Sequence, residues 1–196
     1  MRTNVLGLAA ASAAAVLLAV PAPPYAVSGV AQPYSCLEGE VDSRGRSSVD
    51  GSEITWDDES KFDDARKVAI GAWTSGTLNR VKIRADDATS YADVEWRDVN
   101  NSTHDWAGTY GRWDPNPGTD HLLMNRAYLD DGKRYGATEH RRRVAVHELG
   151  HALGFCHKDT KALSVMWEKY EDLDLMDTNK PTADDVKAYQ ALWGQS

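Results

Sequence analysis

Eleven consecutive residues restrict this chain more than any other stretch: His147-Glu148-Leu149-Gly150-His151-Ala152-Leu153-Gly154-Phe155-Cys156-His157. His147 and His151 are four apart, so on a helix their imidazoles share one face, one turn apart, and can hold a single metal ion. Glu148 sits beside the first His and can lean toward a remaining coordination position. Gly154 can take the left-handed conformation that ends the helix and turns the chain sharply. That turn returns His157 as a third nitrogen ligand. Three His and one open position make the catalytic rather than the structural form of zinc coordination; structural sites usually draw on Cys, and the chain has no CxxC. With this composition, His, Glu, His, Gly and His at those offsets would arise by chance about twice in 100,000 chains. The fold must therefore supply a helix, a glycine turn and a returning loop around one centre.

The N-terminus assigns a compartment. Arg2 precedes an apolar run from Val5 to Val20, with Pro21, Pro23 and Pro24 and then small residues behind it, and no acid occurs before Glu38. A cationic start, a short apolar core and small residues near a cut mark a secretory signal peptide. The run is short for a membrane span, which needs about 20 residues. We expect a leader over 1–31, cut after Ala26 or Ala31, and a single catalytic domain over 32–196. With 22 Lys and Arg against 30 Asp and Glu, the chain carries a formal charge of −8, and the leader takes only a base with it. Such an acidic domain is not expected to bind nucleic acid or an anionic membrane electrostatically. Both cysteines, Cys36 and Cys156, survive into an oxidising space, where one disulfide is the expected pairing. The alternative makes Cys36 a thiolate aimed at the metal as an inhibitor.

Hydrophobic spacing and caps predict three helices. Ser60 with Asp63 resembles a capping box ahead of a stripe of Phe62, Ala65, Ala69, Ala72 and Trp73, with Gly76 as a stop. Thr138 with Glu139 opens a second helix carrying Val144, Val146, Leu149 and Leu153 and ending near Gly154. Pro181-Thr182 with Asp185 opens a third, with Val186, Tyr189, Leu192 and Trp193 on one face. Short strands are predicted at Ile54–Trp56, Val81–Arg84, Asp93–Trp96, Ala107–Tyr110 and His121–Asn125. The order of elements is that of an α+β domain, or of a mixed sheet with helices packed on it.

These residues resemble the metzincin metallopeptidases, whose long zinc motif is followed by a Met-turn. Ser164-Val165-Met166 stands where that turn would be, Met166 being nine residues beyond His157. Within the clan the chain is most similar to the matrixins, over nearly all of its length past the leader; Pro181 through Gly194 resembles the helix that closes their catalytic domain. The small secreted snapalysin-type enzymes are the near alternative, but they carry Asp at the third ligand position, where this chain has His157. The resemblance implies a twisted mixed sheet, two main helices above a cleft and a small C-terminal subdomain ending in a helix. It implies a secreted, monomeric zinc endopeptidase with His147, His151 and His157 on one Zn2+, Glu148 as general base and acid, and Met166 as a floor beneath the ligands. An extended polypeptide would lie along the cleft beside an edge strand, for which His121–Asn125 is the candidate, though its pattern suits an internal strand equally. No prodomain, cysteine-switch motif or hemopexin-like repeat is expected. The alternative function is a catalytically silent zinc-binding or adhesive module, against which the intact Glu148 argues.

Other features take plainer readings. His104, His121 and His140 read as surface or satisfied histidines, and Arg141-Arg142-Arg143 as a solvated face. The acidic stretch Glu168–Asp177 is a candidate for Ca2+ but lacks the spacing of a calcium loop. Tyr170 does not fit the spacing of a metal-contacting tyrosine. Asn100 and Asn101 each head a glycosylation sequon. The seven Trp read as core or cleft wall.

Overall fold

The structure is a computed structural model and describes residues 35–87, 91–169 and 178–194. The expected leader, Tyr170 and most of the acidic stretch lie outside the described residues. Five strands form one sheet: β1 (Glu53–Asp58), β2 (Lys82–Ala85), β3 (Val94–Val99), β4 (Gly111–Asp114) and β5 (Asp120–Asn125), in the order β2-β1-β3-β5-β4. The first four in that order run parallel; β4 closes one edge antiparallel to β5, with Trp113 opposite Leu122. The architecture is α+β with a mixed sheet, as expected. Alternation along the strands explains which face is covered. Ile54, Val94, Trp96, Leu122 and Met124 are buried in the core, while Glu95, Arg97 and His121, at alternate positions, are only half-buried.

Two helices fill the covered side. Helix α1 (Asp63–Trp73) joins β1 to β2, and its stripe of Phe62, Ala65, Ala69, Ala72 and Trp73 is buried as predicted. Helix α3 (Thr138–Ala152) lies against it: the indole N–H of Trp73 donates to Val146 O at 2.8 Å, and Arg142 reaches Asp64 at 2.8 Å. Gly150 permits that approach, since a Cβ there would come within 3.2 Å of the Trp73 ring and overlap the sulfur of Met166. The last helix, α4 (Ala183–Trp193), begins on a full capping box between Thr182 and Asp185. Its buried Tyr189 hydroxyl accepts the N–H groups of Arg80 and Val81 at 2.9 and 2.8 Å, tying the C-terminus to the α1–β2 connection.

Three expectations change, and one short helix is added. Ala107–Tyr110 is no strand: the segment follows a 3-10 turn over His104–Trp106, Gly108 has φ +77°, and the strand starts at Gly111. The Asn125 side chain pins this loop by donating to Thr109 O at 2.7 Å. Ser60 does not cap α1. Its hydroxyl accepts the Phe62 N–H at 3.1 Å and donates to Asp98 at 2.6 Å, one turn ahead of a helix whose N-cap, Phe62, makes no side-chain bond. His121–Asn125 is an inner strand, because β4 pairs outside it. A short helix α2 (Arg126–Leu129) was not anticipated; Asn125 caps it through the Ala127 N–H at 3.1 Å.

Candidate metal centre

Helix α3 carries His147 and His151 one turn apart, as their spacing requires. The helix ends at Ala152 with Leu153 as its C-cap, and Gly154, at φ +90°, turns the chain. His157 then comes back so that the three Nε2 atoms lie 3.1, 3.1 and 3.2 Å from one another. The Nδ1 atoms of His147 and His151 lie 2.8 Å from Val165 O and Phe155 O. A carbonyl can only accept, so each Nδ1 carries the proton and each Nε2 turns a lone pair inward. Burial depresses all three imidazoles, helped for His147 and His151 by a neighbouring His: His147 falls well below its usual value of 6.5, His151 to about 3, and His157 is lowered too. Two inward lone pairs and the Nε2 of His157, all on rings whose charged form is disfavoured, fit a cation. A tetrahedral ion with nitrogens at about 2.05 Å needs them about 3.3 Å apart, close to the spacing here.

Glu148 lies on the same helix, buried, with Oε2 accepting the backbone N–H of Trp113 at 2.9 Å. Burial pushes its carboxyl up to about 8, against the pull of that N–H and of Arg112. Gly111 on β4 faces the helix so closely that a Cβ would stand 2.6 Å from Val144 and 2.8 Å from Glu148. The three imidazoles and Glu148 open into a cavity of about 640 Å³, lined also by residues 108–113 and by Glu40 and Arg46. The edge strand beside the cleft is therefore β4. Tyr110 O accepts from Asn125 N, on the β5 side. By alternation, Gly111 and Trp113 present their backbone polar groups to the cleft.

Met166 is buried at Gly150, on the turn between the two helical histidines. A network invisible in the sequence holds its loop. Asp185 on α4 accepts the Ser164 hydroxyl and the Val165 N–H (3.0 Å) as well as the Thr182 N–H (2.8 Å). Its burial raises the carboxyl pKa, and those bonds oppose the rise. The cap signal at Thr182 and Asp185 was legible; its second task, setting Val165 O for His147, was not. Asp185→Ala should therefore lower stability by about 2–4 kcal/mol in urea unfolding, because buried donors lose their acceptor. A loss below about 1 kcal/mol, typical of a cap alone, would disprove that wider role.

Cys36 and Cys156 are joined in a disulfide with Cα atoms 5.8 Å apart, and among the described residues no cysteine is free, which closes the thiolate alternative. His104, His121 and His140 take no part in the triad. His104 is exposed, His121 faces Glu95 at 3.7 Å and His140 meets the Tyr135 ring edge-on. No helix among the described residues is long and apolar enough to cross a membrane.

Comparison with known proteins agrees with this geometry. The family profile described as Matrixin matches residues 49–194. A macrophage metalloelastase of Oryctolagus cuniculus is 50% identical over 52 residues, 26% of this chain and 11% of that protein. The chain thus matches about a tenth of the length of that relative. The solved structure of myroilysin superposes with a TM-score of 0.51 at 12% identity, covering 78% of this chain and 98% of the other. That likeness is one of fold.

Proposed function

The chain belongs to the matrixin family of metallopeptidases, and from that premise we propose that it is an exported zinc-dependent endopeptidase with Glu148 as its general base and acid. The observation that carries the reading is the convergence of three imidazole Nε2 atoms, 3.1–3.2 Å apart, beside the buried carboxyl group of Glu148. His147, His151 and His157 would hold the metal. When bound, zinc would supply Lewis acidity for a water and for the scissile carbonyl, and its charge would draw the proton off Glu148. Glu148, fixed by the Trp113 N–H, takes a proton from the attacking water and passes it to the leaving amine. An extended substrate pairs with β4 through Gly111 and the Trp113 carbonyl. Gly111 leaves its backbone open because no side chain fits between it and Glu148. The apolar leader and the disulfide support export.

The test is digestion of a denatured protein by the chain without its leader. Cleavage should appear with zinc, stop with a chelator and return when zinc is restored. A zinc-loaded protein that cuts nothing would leave the silent binding module as the better reading.

A further inference from the structure

The three imidazoles are not held alike. His147 and His151 stand on one helix and anchor Nδ1 on carbonyls. Among the described residues the imidazole of His157 is met only at Nε2, 3.2 and 3.1 Å from the Nε2 atoms of His147 and His151. Its ring therefore takes its direction from its backbone, and that backbone is tied at three consecutive residues. Cys156 is bridged to Cys36 and donates its N–H to Asp42 at 3.1 Å. The carbonyl of His157 accepts the Leu37 N–H at 2.9 Å. The ammonium of Lys158, 3% exposed, pairs with the fully buried carboxylate of Asp42, and its backbone N–H donates to Met166 O at 2.8 Å. All but the last of these ties come from one short segment, Cys36–Asp42. A buried ion pair contributes little stability over an apolar pair of equal size; its best-attested use is to fix one arrangement among several.

We propose that Cys36–Asp42 is the positioning element for the third imidazole. The disulfide and the Asp42–Lys158 pair place residues 156–158, and through them set how tightly the triad holds its metal. The proposal rests on reading the triad as a zinc centre. Partners one layer behind the ligands typically govern metal affinity by about 10- to 100-fold.

Zinc affinity, measured by competition with a chromophoric chelator, tests it without reference to peptidase activity. Cys36→Ser/Cys156→Ser should bind zinc about 10- to 100-fold more weakly than wild type. In a His157→Ala background the same pair of changes should cost less than about twofold, since the ligand they position is gone. Equal losses in both backgrounds would mean a general loosening and overturn the proposal, as would unchanged affinity in the folded double variant. If that variant fails to fold, Leu37→Pro carries the test. It removes the N–H given to His157 together with a half-buried leucine side chain, at the first position of a 3-10 turn, and Cys36 at φ −72°, ψ 155° already has the backbone that must precede proline. Its expected cost is about fivefold, again absent with His157→Ala, and no cost overturns the proposal. A wild type that takes up no zinc overturns the metal-centre reading itself, and this one with it.

Discussion

Glu148→Gln should lower kcat/KM on a peptide substrate by about 10²- to 10⁴-fold, the range a positioned general base supplies, while the protein still takes up one zinc. The amide keeps the shape of the carboxylate, and its oxygen can still accept the Trp113 N–H that Glu148 accepts at 2.9 Å. Only the capacity to take and return a proton is lost. Turnover at the wild-type rate would remove Glu148 from the reaction. The same change should stabilise the metal-free protein. Burial raises the carboxyl from 4.5 to about 8. Between those values the folded chain binds more protons than the unfolded one, so this group's contribution falls as pH rises through the window. At pH 7 the deficit reaches about 3 kcal/mol, and Gln does not incur it. Urea unfolding of the metal-free proteins from pH 5 to pH 8 should show the variant's advantage over wild type growing as pH rises, the three lowered histidines adding the same opposite slope to both curves. Parallel curves would mean that another group sets the slope.

Gly154→Ala should be strongly destabilising. Two penalties coincide there. The backbone sits at φ +90°, outside the reach of an L side chain without strain. The added Cβ would also overlap the carbonyl oxygen of Ser43 and stand 3.1 Å from its carbon, so backbone rather than a flexible side chain would have to move. Ser43 also donates its N–H to Gly154 O at 2.9 Å. Relief would therefore push the N-terminal segment off the loop that carries His157. We expect a loss of about 3–5 kcal/mol in urea unfolding, beyond a typical point mutation, and weaker zinc binding. Gly76→Ala is the control: at φ +60° with nothing within 4 Å of the added carbon, it should cost only about 1–2 kcal/mol and leave zinc affinity unchanged. Equal losses at the two positions would show that the contact with Ser43 is without consequence.

The parts that were legible rest on periodicities and local chemistry. The stripe from Phe62 to Trp73, the pair His147 and His151, the turn at Gly154 and the cap at Thr182 each follow from rules spanning a few residues, and each is found in the structure. The misreadings came where local signals compete with distant partners. Ser60 has the chemistry of a cap, but its hydroxyl is drawn to Asp98 on a neighbouring strand. Ala107–Tyr110 is apolar enough for a strand, yet the positive φ of Gly108 and the amide of Asn125 make it a loop. For β5 the pattern suited an edge and an inner strand equally, since strand order depends on which chain returns beside it.

The sequence alone determined the three histidines of the candidate centre, their spacing and the turn that joins them, because helix pitch and glycine's freedom at positive φ act within a dozen residues. It also supplied two cysteines with the chemistry to pair. Tertiary structure decided what surrounds those ligands. The Trp113 N–H on Glu148, the reach of Asp185 to the loop of Met166, and the grip of Leu37 and Asp42 on the loop of His157 span 35, 20 and up to 120 residues. Contacts at such separation form only when the whole core closes, and no local pattern encodes them.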